Sequence, residues 1–189
     1  MAYLALVRHG ESEWNAKNLF TGWADKVLTR NGFLQARAAA EELRSKKWNI
    51  IFESDLERVK ETTDIIIKTL ELKIPVIETE ALRERSYGIY TARNKSEVQQ
   101  QLGESEFEKL HRGWDYAIPE GESLKQVYER VIPYYQSQIE PRLKEGQNVI
   151  VVASHNSLRA LCKYLKNLSD KEIEDFELKT GEVLLIDYT

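Results

Sequence analysis

Leu4-Ala5-Leu6-Val7-Arg8-His9-Gly10-Glu11-Ser12 is an apolar run that stops abruptly at a cation and an imidazole. It reads as a buried strand whose carboxyl end delivers both side chains to the edge where α/β sheets hold ligands. Gly10 allows a tight turn and close backbone approach to a ligand, and Glu11-Ser12 opens a polar turn whose free N–H groups receive an anion. This stretch is where chemistry is expected.

Outward from it, strands alternate with helices. Thr29 reads as the N-cap of a helix running to about Lys46, with Phe33, Leu34, Ala38 and Leu43 on or near its inner face. Between them, residues 14–23 read as a structured loop rather than a helix. Ile50-Ile51-Phe52 is a second strand, followed by a helix from about Leu56 to Leu70 capped by Ser54 or Asp55 and packed through Ile65, Ile66 and Ile67. Pro75-Val76-Ile77-Glu78 is a third strand. Residues 94–113 are polar and helical, a surface excursion or lid with thin apolar contacts at Val98, Leu102, Phe107 and Leu110. A long helix opens at Glu122 or Ser123 and meets Pro133, which kinks it, and Pro141, which disturbs its last turns. Asn148–Ala153 is the most β-branched run, hence a central strand, and the helix Leu158–Lys166 follows. A short helix capped by Ser169 leads to the last strand, Val183–Ile186. The expected class is α/β, three layers αβα around a mostly parallel sheet.

With 189 residues the chain supports one core and one domain over 1–189. Its 42% hydrophobic and 31% charged residues fit a soluble globular protein rather than a disordered or membrane one. Met1-Ala2-Tyr3 enters a strand directly, without a leader, which points to the cytoplasm. The single cysteine, Cys162, excludes an internal disulfide. A net charge of −4 argues against nucleic acid as a partner, so any basic site must be local.

The chain holds three histidines, and two of them, His9 and His155, follow its two most apolar strands. Parallel strands place their carboxyl ends on one edge, where Arg8, and Arg58 early in a helix, converge with the imidazoles. Two guanidiniums suit a phosphoryl group, and a neutral histidine with an ordinary pKa of about 6.5 is a competent nucleophile for it. A metal site is disfavoured, because Arg8 beside His9 repels a divalent ion and no closely spaced ligand set exists. Cys162, inside the helix after His155, reads as a small buried apolar residue rather than a nucleophile.

Arg8-His9-Gly10-Glu11-Ser12-Glu13-Trp14-Asn15, Phe20-Thr21-Gly22-Trp23, Arg83-Glu84-Arg85-Ser86-Tyr87-Gly88 with Asn94-Lys95, and Asn156-Ser157-Leu158-Arg159-Ala160-Leu161 resemble the cofactor-dependent phosphoglycerate mutases of the histidine phosphatase superfamily. The resemblance spans nearly the whole chain in the family's order. It implies a phosphoglycerate mutase-like fold and an enzyme interconverting 2-phosphoglycerate and 3-phosphoglycerate, primed by 2,3-bisphosphoglycerate without a metal. It further implies that His9 is phosphorylated and that Glu84 exchanges a proton with the substrate hydroxyl. Arg8, Arg58 and the histidine after the late strand would hold the transferring group. Ser12, Asn15, Thr21, Gly22, Tyr87, Lys95, His111, Arg112 and Asn156 would line the ligand site. The partners would be small phosphorylated hydroxy acids, with no membrane, in a monomer or homodimer.

Four departures from the pattern stand out. Where the family has Ala-His-Gly-Asn, this chain has Ala153-Ser154-His155-Asn156. Either the turn has shifted so that His155 serves, which is the reading adopted, or the second imidazole is displaced. His111-Arg112 replaces two adjacent arginines. The chain ends at Thr189 without the tail of longer members, and residues 116–120 lack an insertion, so a more open site with more hydrolysis is expected. A phosphatase of the same superfamily and a non-catalytic phospho-ligand binder are the competing readings.

Overall fold

The computed structural model describes residues 2–188; Met1 and Thr189, where the opening segment and the chain's end were read, lie outside the described residues. Five strands, β1 (Ala2–Arg8), β2 (Ile50–Ser54), β3 (Val76–Thr79), β4 (Val149–Ala153) and β5 (Val183–Tyr188), form one sheet in the order β3-β2-β4-β1-β5. All pairs are parallel except β1 with β5. The sheet is therefore mixed and mostly parallel. The carboxyl ends of β1 and β4 lie side by side, with Arg8 opposite Ala153 and the His9 N–H donating to the Ala153 carbonyl at 3.1 Å.

Alternation along the strands builds two cores. Leu4, Leu6, Phe52, Val149 and Val151 face α6 (Leu124–Tyr134), α7 (Glu140–Lys144), α8 (His155–Leu165) and α9 (Asp170–Asp175). Ala5, Val7, Ile51, Ile150 and Val152 face α2 (Arg30–Leu43) and α3 (Glu57–Leu70). Each fully buried aliphatic side chain stabilises the fold by about 1.5–3 kcal/mol. A third, smaller core joins Phe20, Tyr87 and Tyr90 to Val98, Phe107 and Leu110 of α4 (Lys95–Leu102) and α5 (Glu104–Arg112). The excursion at 94–113 is thus packed down onto the loops that border the site rather than held by thin contacts. Among the described residues no helix is long and apolar enough to cross a membrane.

Several local expectations give way to stronger constraints. The inner face of α2 is Gly32, Ala36, Ala39, Ala40 and Leu43, whereas Phe33 and Leu34 are 48% and 56% exposed and Ala38 also faces solvent. The reason is close approach: a Cβ on Gly32 would sit 2.1 Å from the Glu11 carbonyl oxygen, so only glycine fits at that position and the face around it is built from alanine. Helix α3 has Leu56 at its N-cap, and neither Ser54 nor Asp55 caps it: the Glu57 N–H donates to the Asp25 carboxylate at 2.7 Å, while Asp55 is engaged by Arg83. One turn of helix, α1 (Glu13–Ala16), interrupts the expected loop under a Ser12–Asn15 capping box. Ser123 caps α6, and a π-helical turn, Tyr135–Ile139, separates α6 from α7 just beyond Pro133. Helix α8 begins at His155, three residues earlier than expected.

Gly32→Ala should cost about 2 kcal/mol or more by overpacking against backbone, while Phe33→Ala should stay within about 0.5 kcal/mol. Urea unfolding of both variants checks this; the reverse ranking would refute the assignment of the inner face.

Candidate active site

His9 lies at the floor of a cavity above the carboxyl ends of β1 and β4 and is 2% exposed. Its Nδ1 is 2.7 Å from the Gly10 carbonyl oxygen, an acceptor, so Nδ1 carries the proton and Nε2 is left with its lone pair. Arg58 Nε–H donates to that Nε2 at 3.2 Å. Burial, then the Arg58 and Arg8 cations, hold the imidazole well below its ordinary pKa. The ring is neutral and its reactive nitrogen faces a cation.

Arg58, 1% exposed, is held rigidly by the protein: its Nη1 donates to the Ala24 carbonyl at 3.1 Å and its Nη2 to the Gly22 carbonyl at 2.8 Å. The same Nη2 reaches the Ser154 hydroxyl at 3.4 Å. Arg8 donates through Nη1 to the Leu178 carbonyl at 2.5 Å, while its Nε is buried without a partner. Burial lowers the pKa of both guanidiniums from the usual arginine range.

Glu84 is 7% exposed, and its Oε1 accepts the backbone N–H groups of Arg85 at 2.7 Å and Asn156 at 3.1 Å. Its own carbonyl accepts from Trp23 Nε1 at 2.6 Å and Arg130 Nη2 at 2.9 Å, which fixes the loop that carries it. Gly22 needs to be glycine here, since φ is +54° and a Cβ would press on the Tyr87 N and Arg85 O atoms at 3.2 and 3.3 Å.

Of the residues singled out in the sequence, Arg8, His9, Asn15, Thr21, Gly22, Arg58, Glu84, Tyr87, Lys95, His111 and His155 line this one cavity. Ser12, Arg112 and Asn156 do not. Ser12 caps α1, and Asn156 bonds the Tyr87 hydroxyl through Nδ2 while accepting from Arg159. Arg112 turns to the rim, toward Glu177 at 3.4 Å and Glu108 at 3.8 Å. The N–H groups of Glu11 and Ser12, expected to be free for an anion, are taken by Gln35 and Asn15, and that of Gly10 by Thr62. Gly10 is required by the backbone rather than by a ligand: a Cβ would lie 2.2 Å from the Gly32 oxygen. Anion recognition therefore falls to side chains.

The altered turn is resolved into two placements. Ser154, fully buried at the end of β4, puts its hydroxyl beside Arg58. His155, first residue of α8, lines the cavity with a buried and unpartnered Nε2. Burial, followed by Arg8, Arg159, His111 and Arg112, keeps its pKa well below the ordinary value. His111 stacks on Phe107 at 5.5 Å between ring centroids, and burial with Lys95 and Arg112 lowers its pKa to about 3. Cys162 is buried, with its thiol pushed up to about 12.

Sequence reasoning missed Leu19 and Glu177 in the lining, and the buried Arg85 and Arg159 behind it. Arg159 stands three residues after Asn156 on α8, a spacing that places the two on one face. Glu177 sits in the irregular segment between α9 and β5, where no periodicity marks it.

The sequence pattern of the histidine phosphatase superfamily (branch 1) matches residues 4–189. A 2,3-bisphosphoglycerate-dependent phosphoglycerate mutase of Cytophaga hutchinsonii is 45% identical over 189 residues, covering 100% of this chain and 89% of that protein. The phosphoglycerate mutase of Schizosaccharomyces pombe is 42% identical over 181 residues, covering 94% and 86%. Among solved structures, Bacillus stearothermophilus YhfR aligns with a TM-score of 0.88 at 26% identity, covering 100% of this chain and 92% of its own. The alpha-ribazole phosphatase of Shigella flexneri aligns with a TM-score of 0.83 at 25% identity, covering 99% and 91%.

All three histidines have lowered pKa values in the fold. The unfolded chain takes up protons as pH falls through about 6.5 while the folded chain does not, so their contribution is present above that value and lost below it. Urea unfolding free energy should fall from pH 7.5 to 5.5, with a slope approaching about 1.4 kcal/mol per unit for each histidine. His111→Asn should remove about a third of that slope, and a flat profile in the parent protein would contradict the burial argument.

Proposed function

The chain belongs to branch 1 of the histidine phosphatase superfamily, and on that premise we propose that it is a 2,3-bisphosphoglycerate-dependent phosphoglycerate mutase. The reaction is the interconversion of 2-phosphoglycerate and 3-phosphoglycerate in glycolysis and gluconeogenesis. The observation that carries this reading is the neutral His9 whose Nε2 faces Arg58 in a small, cation-lined cavity that also holds Glu84.

The lining fits a small polyanion. Arg8, Arg58 and Lys95 face two carboxylates, Glu84 and Glu177, and the Arg8 Nε and His155 Nε2 atoms are buried without partners. An unsatisfied buried donor costs about 1–3 kcal/mol, which ligand oxygens relieve. The cavity, about 120 Å³, is well below the roughly 300–1,000 Å³ of sites for drug-sized molecules. Small phosphorylated hydroxy acids match that size and charge. Arg8, Arg58 and Lys95 would hold 2,3-bisphosphoglycerate, with Asn15, Thr21 and Tyr87 adding hydrogen bonds; when bound, it supplies the phosphoryl group that primes His9.

The residues then divide the work. Gly10 fixes the tautomer of His9 and points Nε2 at the phosphorus. Arg58 and Arg8 neutralise charge on the equatorial oxygens, with the Ser154 hydroxyl accepting from Arg58 and positioning it, as the bond from phosphorus to His9 breaks and the bond to the substrate hydroxyl forms. Glu84 takes the hydroxyl proton in that step and returns it to the leaving oxygen when the other phosphoryl group passes back to His9. His155 Nε2 contacts the ligand away from Arg58. Water that reaches phosphorylated His9 releases phosphate instead, the side reaction that a more open site favours.

Supplying 3-phosphoglycerate with catalytic 2,3-bisphosphoglycerate should yield 2-phosphoglycerate, with acid-labile phosphate trapped on the protein by rapid quenching. His9→Ala should abolish both while melting cooperatively. Phosphate release without isomer would favour the phosphatase reading, and neither product would sink catalysis altogether. Ser154→Ala should slow phosphoenzyme formation about tenfold with little change in KM, and His155→Ala should mainly raise KM. Interchanged phenotypes would reverse these two roles.

A further inference from the structure

One acid in this cavity has no part in the chemistry above. Glu177 lines a site built for anions, and its carboxylate is a standing negative charge at the mouth. Its position is fixed by the backbone: the adjacent Leu178 is 1% exposed and its carbonyl accepts from Arg8, while the Gly181 N–H donates to the Arg8 and His9 carbonyls at 3.1 Å each. The segment that carries Glu177 is therefore tied to the strand end that carries the nucleophile. Its side chain is 53% exposed, and its ion-pair partner is Arg112 at 3.4 Å. Arg112 is anchored in turn, because its carbonyl accepts from the buried Arg159 at 3.0 Å. The guanidinium is thereby shared with Glu177 and Glu108 instead of facing the cavity.

A ligand whose transferring phosphoryl group lies between His9 and Arg58 extends its other end toward the remaining lining: Lys95, His111, His155 and Glu177. His111 and His155 are held neutral by burial and neighbouring cations, so they offer hydrogen bonds but no charge. Lys95 is the cation of that group, and Glu177 opposes it. From this arrangement we infer that Glu177 is a specificity-determining residue that limits the negative charge accepted at the non-transferring end of the ligand. It acts by direct repulsion and by competing with the ligand for Arg112. A carboxylate is accepted there at some loss of affinity, and a second phosphoryl dianion at a larger one. The inference takes only the ligand class from the functional reading above.

Titration calorimetry with three probes tests it: inorganic phosphate, 3-phosphoglycerate and 2,3-bisphosphoglycerate, against His9→Ala protein as parent and the same protein carrying Glu177→Gln, so that no phosphoryl group is transferred during the titration. The amide keeps the shape and removes the charge. Phosphate, which occupies the floor alone, should gain least, because there Glu177 acts only through its field on Arg8. The variant should bind 3-phosphoglycerate at least about threefold tighter and 2,3-bisphosphoglycerate tighter still, with the gain shrinking in high salt. Equal affinities for all three probes would overturn the proposal. So would weaker binding by the variant, the result expected if Glu177 merely pins Arg112. If Glu177→Gln fails to melt cooperatively, Glu177→Ala is held to the same graded pattern. The readout is then independent of turnover: a graded gain, with no 2-phosphoglycerate made by the protein that keeps His9, would sink the mutase reading and leave this one standing. Isomerisation without the gain would do the opposite.

Discussion

The structure depends on keeping one imidazole neutral and aimed inside a buried, cationic floor. His9 donates to the Gly10 carbonyl on one side and accepts from Arg58 on the other. Either contact alone leaves the ring free to tilt. Together they present one lone pair in a fixed direction, which is the pre-organisation nucleophilic catalysis by histidine requires. Burial contributes most to holding the ring neutral, and the two arginines reinforce it. The same guanidiniums that disfavour imidazolium also favour an incoming phosphoryl anion, so one arrangement serves the nucleophile and the group it receives.

The rest of the fold keeps that floor rigid. The parallel pairing of β1 with β4 sets His9 beside Ser154, and the close approach of Gly10 to Gly32 locks the first loop onto α2. Arg130 and Trp23 grip the Glu84 carbonyl, and Arg159 ties Asn156 to the backbone of Arg112. The buried arginines are satisfied largely by main-chain carbonyls rather than carboxylates. This leaves net positive charge around the cavity in a chain whose overall charge is −4. The local field and the global balance have opposite signs, as expected for a site that recruits a small anion without attracting nucleic acid.

Legibility in the sequence followed physical cause. The two catalytic strand ends stood out because buried parallel strands are continuous apolar runs, and the polar residues that end them are conspicuous. Glu84 carried no such mark; an acid among arginines is ordinary, and only the resemblance of its neighbours set it apart. The inner face of α2 was misjudged because phenylalanine outranks alanine in hydrophobicity, whereas backbone contact at Gly32 rewards small size. The start of α8 escapes the pattern because a histidine after an apolar strand reads as loop, whereas here it occupies the first helical turn. Glu177 lay in irregular chain, where spacing conveys nothing, and its place in the cavity emerges only when β5 folds back beside β1.

The most direct measurement is the long-range 15N–1H correlation spectrum of histidine-labelled protein, before and after addition of 2,3-bisphosphoglycerate. The expected result is a His9 ring protonated at Nδ1 and unchanged between pH 7.5 and 5.5, and phosphorus coupled to its Nε2 after the addition. A ring that titrates near its ordinary value, or phosphorus found on Nδ1 or on another residue, would contradict it.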